Sequence, residues 1–207
     1  MRSVAGNRAA QGLCVLATAV VLLMAGAPGC GEESGVGDPC RPEVELDPTS
    51  NGFLLESVFT ETKSYQCRTR VCLVNHFQGR VSCPYGQNRD GTGPGGGSPC
   101  VLPGTSDGKV VGGSIPDMAA EVKPQCASRS PDQAVYCSCR CANNEGRTDD
   151  GANYCTCPDG FSCERVGPNF ISNGPRELSG AYCIKSGTRF DGQACTVACD
   201  PKTHPCP

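Results

Sequence analysis

The chain has 207 residues, 18 Lys and Arg against 21 Asp and Glu, and a formal net charge of −3. Eighteen cysteines, 27 glycines, 17 prolines and no tryptophan do not describe an ordinary globular domain. No strongly basic stretch is present, which argues against a nucleic-acid partner.

Met1 to Gln11 is polar and carries Arg2 and Arg8 without an acid; Leu13 to Ala25 is a run of thirteen largely apolar residues. A positive start, a short apolar run and small residues after it predict a secretory signal over residues 1–29. The run is shorter than the ~20 apolar residues a membrane-spanning helix needs. Two cuts compete. Ala25-Gly26-Ala27 has the small-x-small form, but cutting there leaves Pro28 first, with its locked backbone. Ala27-Pro28-Gly29-Cys30 resembles the lipobox of bacterial lipoproteins, although Ala27 stands where that family usually has leucine. The resemblance implies that Cys30 is lipidated and becomes the first mature residue. It also implies an outer-membrane lipoprotein facing the periplasm or the cell surface. Cysteine parity agrees: Cys14 leaves with the signal, Cys30 carries lipid, and sixteen remain to pair.

From Cys30 onward, Val, Leu, Ile and Phe make up 28 of 178 residues. Below about 20% a chain ordinarily stays unfolded. The sixteen cysteines reverse that expectation. A disulfide contributes ~2–4 kcal/mol, so eight outweigh the ~5–15 kcal/mol net stability of a typical domain. The expected class is small and disulfide-rich, with mostly short β-hairpins and irregular loops and little helix. Disulfides persist outside the reducing cytosol, so composition and leader point to the same compartment.

Residues 30–39 are polar and glycine-rich and predict a flexible tether. Residues 40–129 form the first expected module, with Cys40, Cys67, Cys72, Cys83, Cys100 and Cys126. The apolar run FLLESVF within 52–62 predicts a strand by its length. RTRVCLVNHFQGRVS, residues 68–82, predicts a strand, a turn near Gln78-Gly79 and a second strand. GTGPGGGS, residues 91–98, predicts a mobile loop, and Ser114 to Pro124 one or two helical turns.

Ser130 to Gln133 is the expected hinge to a second module, residues 134–207. It holds Cys137, Cys139, Cys141, Cys155, Cys157, Cys163, Cys183, Cys195, Cys199 and Cys206. Tyr136–Cys141 and Tyr154–Cys157 predict two strands of one hairpin joined by residues 142–153. Residues i and i+2 of one strand share a face at the limit of disulfide reach, so each C-x-C must bond elsewhere. One antiparallel register places Cys141 opposite Cys155 and Cys139 opposite Cys157, and those two bonds are expected. The run C-T-C-P-D-G-F-S-C, residues 155–163, is similar to the end of an EGF-like module; its last cysteine stands closer than in that family. The resemblance implies a turn at Pro158-Asp159-Gly160 between two disulfides.

There is no H-E-x-x-H, and no C-x-x-C for dithiol chemistry or zinc. His76 and His204 are isolated. Asn143 to Gly151 offers oxygen ligands for calcium without EF-hand spacing, in residues equally usual in a hairpin loop. No catalytic residue, metal site or cofactor is expected. The expected function is a lipid-anchored, disulfide-stapled envelope protein with a structural or recognition role. Its partners would be the membrane, through lipid at Cys30, and an envelope or extracellular protein or glycan, met through loops 84–99 and 142–153. The alternatives are an exported enzyme with an unrecognised site and a calcium- or metal-binding module.

Overall fold

In the computed structural model the described residues are 35–94, 98–105, 111, 121–167, 169–174 and 178–206. The signal, Cys30 and residues 112–120 lie outside them; the last part of the helix expected over Ser114 to Pro124 is not helical, and Val122 instead forms an isolated bridge with Gln87.

Short β-branched and aromatic runs form the strands. β1 (Val58–Glu61) and β2 (Val71–Asn75) are antiparallel, with Glu61 opposite Cys72 and Val58 opposite Asn75. β3 (Val135–Ser138) pairs antiparallel with the other side of β2. β4 (Arg140–Ala142), β5 (Phe161–Arg165), β6 (Phe170–Ser172) and β7 (Ala181–Lys185) follow. One sheet has the order β3-β2-β1-β6, the other β4-β7-β5. β6 joins the first sheet parallel to β1. With one-turn helices at Glu43–Leu46 (3-10) and at Pro131–Ala134 (α1), the fold is a small, disulfide-rich, mostly β structure.

Three expected features give way to longer-range contacts. Ser34–Pro207 is one compact unit, so the modules 40–129 and 134–207 are not separate bodies. Their strands share a sheet, and Cys67–Cys137 and Cys126–Cys195 cross the expected boundary. The expected hinge is α1 with its cap: the Ser130 N–H donates to Gln133 Oε1 in a reciprocal capping box, and Pro131 opens the helix. The tether expected over 30–39 is docked from Gly35 onward. The Gly37 N–H donates to the Cys137 carbonyl and the Cys137 N–H to the Asp38 carbonyl, each at 2.8 Å.

The interior is divided. Four buried clusters replace one core, and three of them contain cysteines. Eleven of the 27 buried apolar residues described are cysteines, so sulfur fills space that aliphatic side chains fill elsewhere. The fourth cluster is sulfur-free, with Val58, Leu73, Tyr136, Tyr182 and Ile184 between the sheets. Its polar ends are satisfied: the Tyr136 hydroxyl accepts the Lys185 N–H at 2.9 Å, and the Tyr182 hydroxyl donates to the Leu178 carbonyl at 2.5 Å.

A polar knot holds residues 45–52 against 79–82. Buried Arg80 donates from Nη1 to the carbonyls of Asp47 and Ser50 and from Nη2 to that of Glu45. The Glu45 carboxylate accepts the N–H groups of Val81 and Ser82 at 2.5 and 3.0 Å. Gly79, at φ +82, exchanges backbone hydrogen bonds with Phe53. A Cβ on Gly79 would overlap the Lys123 carbonyl oxygen, so only glycine fits. The second strand expected after Gln78-Gly79 is therefore a pair of isolated bridges, Phe53 with Gly79 and Arg80 with Cys83.

Candidate functional site

All sixteen cysteines from Cys40 to Cys206 are bonded. The pairs are Cys40–Cys72, Cys67–Cys137, Cys83–Cys100, Cys126–Cys195, Cys139–Cys155, Cys141–Cys163, Cys157–Cys183 and Cys199–Cys206. The expected bonds Cys141–Cys155 and Cys139–Cys157 do not form, because residues 154–157 are not a strand. β4 takes β7 as its neighbour, and residues 152–158 pass alongside with the Cys155 N–H on the Arg140 carbonyl at 3.1 Å. That offset brings Cys155 to Cys139, frees Cys157 to cross to Cys183 on β7, and leaves Cys141 to Cys163 on β5. Each C-x-C does bond outward, as its geometry requires. The turn expected at Pro158-Asp159-Gly160 is present between the Cys157 and Cys163 disulfides: the Phe161 N–H donates to the Pro158 carbonyl, and Gly160 has φ +82.

Three of these disulfides stack. Cys183 Sγ lies 3.7 Å from both Cys139 Sγ and Cys155 Sγ, and the sulfurs of Cys141, Cys157 and Cys183 lie within 4.8 Å of one another. A second sulfur group joins Cys40, Cys67 and Cys137. Spacing suits a soft metal, but the chemistry does not: a sulfur in a disulfide has no thiolate charge to donate.

A concave surface lies on either side of Phe190. Two clefts of about 390 and 380 Å³ share Arg189 and Phe190. The His76 ring stacks on Phe190 at 4.3 Å, and the Arg129 guanidinium sits 5.6 Å from that ring's centre. Arg129 is held from behind by the carbonyls of Asn75, His76 and Thr188. His76 Nδ1 lies 2.8 Å from the Leu55 carbonyl, which makes it the protonated nitrogen and leaves Nε2 as an acceptor. Burial lowers the His76 pKa, the Leu55 hydrogen bond opposes that, and the Arg129 charge adds to it. A neutral, oriented imidazole is the form a general base takes. Among the described residues, those lining the His76 side include Glu164 and Arg189 but no serine, threonine or cysteine.

The two display loops have different structures. In the 142–153 loop the Asn143 side chain accepts the N–H groups of Glu145 and Arg147 and donates to Asp150. The Tyr154 hydroxyl donates to Asp150 at 2.7 Å and, with the Asn143 amide and the Ala152 N–H, holds its pKa down at about 2. Arg147 pairs with Glu145 and Asp149. Of the oxygens that suggested calcium, those of Asn143, Glu145, Asp149 and Asp150 are engaged within the loop or with Tyr154, while the Asn144 amide nitrogen donates to Ser179 Oγ at 2.6 Å. In the 84–99 loop, Asp90 caps Thr92 and Arg89 meets Glu121 at 3.0 Å; residues 95–97 fall outside the described set.

His204, the other histidine, is exposed inside the eight-residue ring closed by Cys199–Cys206. The cleft around Phe190 was not foreseen: His76, Arg129, Glu164 and Phe190 are scattered along the chain, and no local motif joins them. No family model matches this chain, and no curated protein or solved structure is significantly similar to it. Eight disulfides fit an oxidising, exported setting. No helix among the described residues is long and apolar enough to cross a membrane.

Proposed function

We propose that the chain is a lipid-anchored, disulfide-stapled protein of a Gram-negative-type cell envelope, with a structural or recognition role and no catalysis. The observation that carries this reading is the closed pairing of sixteen cysteines, which leaves none of them to bond Cys30. A seventeenth cysteine in an oxidising compartment needs its own chemistry, and lipidation in the Ala27–Cys30 motif supplies it. Loops whose ends are stapled present contact residues with little ordering left to be done on binding. A protein or glycan partner fits the polar 142–153 loop and the clefts beside Phe190.

Intact mass of the detergent-extracted protein, before and after reduction and alkylation, tests this. The expected species begins at Cys30, carries acyl chains, and gains sixteen alkyl groups only after reduction. A chain that begins at Pro28, or that alkylates without reductant, refutes the reading.

A further inference from the structure

Nine residues join β1 to β2: Thr62-Lys63-Ser64-Tyr65-Gln66-Cys67-Arg68-Thr69-Arg70. They carry three cations and no carboxylate. The chain they belong to is acidic, at −3 overall and −5 once Arg2 and Arg8 leave with the signal. Lys63, Tyr65, Arg68 and Arg70 are exposed, and Tyr65 stands 80% open with the Arg70 guanidinium 4.6 Å over its ring. The loop is fixed. The Ser64 N–H donates to the Arg70 carbonyl at 3.0 Å, the Arg70 N–H to the Cys67 carbonyl at 2.9 Å, and buried Cys67 is bonded to Cys137 of β3. A fourth cation is tied to its flank: the Arg41 N–H donates to Gln66 Oε1 at 3.1 Å, and Gln66 Nε2 donates to the Arg41 carbonyl at 2.6 Å.

The loop also touches the segment that leads to Cys30. A Cβ on Gly35 would sit 3.1 Å from the Arg68 Cβ, so the stem of Arg68 lies on Gly35. Gly35 is five residues from Cys30. At ~3.6 Å per residue that length of chain spans at most about 18 Å. With an acylated Cys30 in the bilayer, Gly35 and the Arg68 stem that lies on it stay within about 18 Å of the anchor, a reach from which Arg68 can enter the ~8 Å zone where surface charge is felt.

We propose that loop 62–70 is a membrane seat: a cationic, tyrosine-tipped surface that settles on the anionic headgroups of the bilayer holding the lipid at Cys30. The inference rests on the lipid-anchor reading. Arginine and lysine stems extend over the surface while their charges meet phosphate, and an aromatic ring with a polar tip belongs at that boundary. The acids of the leading segment, Glu32, Glu33 and Asp38, oppose the attraction. The loop that carries the cations is itself held by the Ser64–Arg70 and Arg70–Cys67 backbone hydrogen bonds and the Cys67–Cys137 disulfide, so little ordering remains to be done on contact.

The chain has no tryptophan, so Tyr65→Trp installs a single reporter at the tip. The acylated protein carrying it is reconstituted in vesicles of phosphatidylcholine, alone or mixed with phosphatidylglycerol. In the mixed vesicles its emission shifts to the blue and is quenched by lipids brominated near the headgroup, and high salt reverses both. Adding Lys63→Gln, Arg68→Gln and Arg70→Asn reduces the quenched fraction several-fold. Asparagine is chosen at 70 because Arg70 has φ +65, which asparagine tolerates. An emission spectrum identical in the two vesicle types, or indifferent to salt, overturns the proposal; a loop reserved for an acidic protein partner, or neutralised by the leading acids, gives that result. Intact mass of the same sample separates the failures. Acylated protein with an unmoved spectrum defeats only the membrane seat, whereas absence of the acyl chains defeats the anchor and the seat together.

Discussion

Cys72 and Cys137 stand directly opposite each other on β2 and β3, yet each is bonded elsewhere, to Cys40 and Cys67. Cys163 and Cys183 repeat the arrangement on β5 and β7, bonded to Cys141 and Cys157. The first sheet thus sends both bonds outward to loops; in the second, Cys183 bonds Cys157 of a loop while Cys163 bonds Cys141 on β4, across the intervening β7, so neither sheet bonds a facing pair that its ladder already holds. A facing pair is also a route for exchange. Cys40→Ser leaves Cys72 as a thiol opposite Cys137, and its attack on Cys67–Cys137 releases Cys67. Trapping with iodoacetamide and peptide mapping should find the free thiol largely on Cys67; a thiol that stays on Cys72 shows that the sheet blocks the exchange.

Arg80 closes residues 45–50 by donating to three carbonyls. Arg80→Ala leaves those acceptors and the Glu45 carboxylate buried without their cation, at a cost of ~3–5 kcal/mol. Arg80→Lys keeps the charge but not the planar fork, and recovers only part of the loss. Thermal unfolding with the disulfides intact measures both; equal melting temperatures for Arg80→Lys and the parent chain would contradict the role assigned to the fork.

Glu61 is buried beside β2, with Oε2 accepting the Glu43 N–H at 2.8 Å and Oε1 without a partner. Burial raises its pKa above the ordinary 4.5, the Glu43 hydrogen bond opposes that, and the Glu43 charge adds to the rise. A carboxyl whose pKa is raised on folding stabilises the fold below the unfolded value and loses that contribution as pH rises through the folded value. Glu61→Gln keeps a neutral acceptor at every pH. It should stabilise by about 1 kcal/mol at pH 7 and by nothing near pH 4. Melting temperatures of the two proteins at those two pH values decide it, and a gain at pH 4 equal to that at pH 7 argues against the mechanism.

His76 has the opposite sign. Its pKa is lowered on folding, chiefly by burial, so the stability it lends is complete above about 6.5 and is lost as pH falls toward the folded value. With only two histidines in the chain, His76 is assigned in proton NMR by its absence from His76→Asn, a residue that accepts φ +52. Its C–H resonance should titrate below 6.5, and the variant should lose less stability between pH 7 and pH 5. A titration at or above 6.5 refutes the burial argument.

How much was legible depended on the range of the interaction. The class followed from counting cysteines against Val, Leu, Ile and Phe, because a chain that poor in core residues has no other source of stability. β2 was legible because VCLVN is a local β run, and the 158–160 turn because proline, aspartate and glycine fix it among themselves. β6 was not: three residues, Phe170-Ile171-Ser172, carry no strand signal, and only β1, more than a hundred positions earlier, makes them one. The disulfide partners failed for the same reason. Counting registers within one hairpin assumes the hairpin, and β7 had displaced it. The cleft around Phe190 exists only after Asn75, His76 and Thr188 surround Arg129, an assembly with no trace in any short window.

Only two of the eight disulfides, Cys83–Cys100 and Cys199–Cys206, join cysteines that are neighbours in the sequence. A polypeptide threaded outward from its amino end would present Cys67 to Cys72 long before Cys137 emerges. Bonds made in order of arrival are therefore wrong bonds, to be undone before β2 and β3 can close. Maturation of this protein is therefore expected to need an isomerase as much as an oxidant. A host that supplies oxidising power without reshuffling should accumulate it as scrambled, protease-sensitive chains.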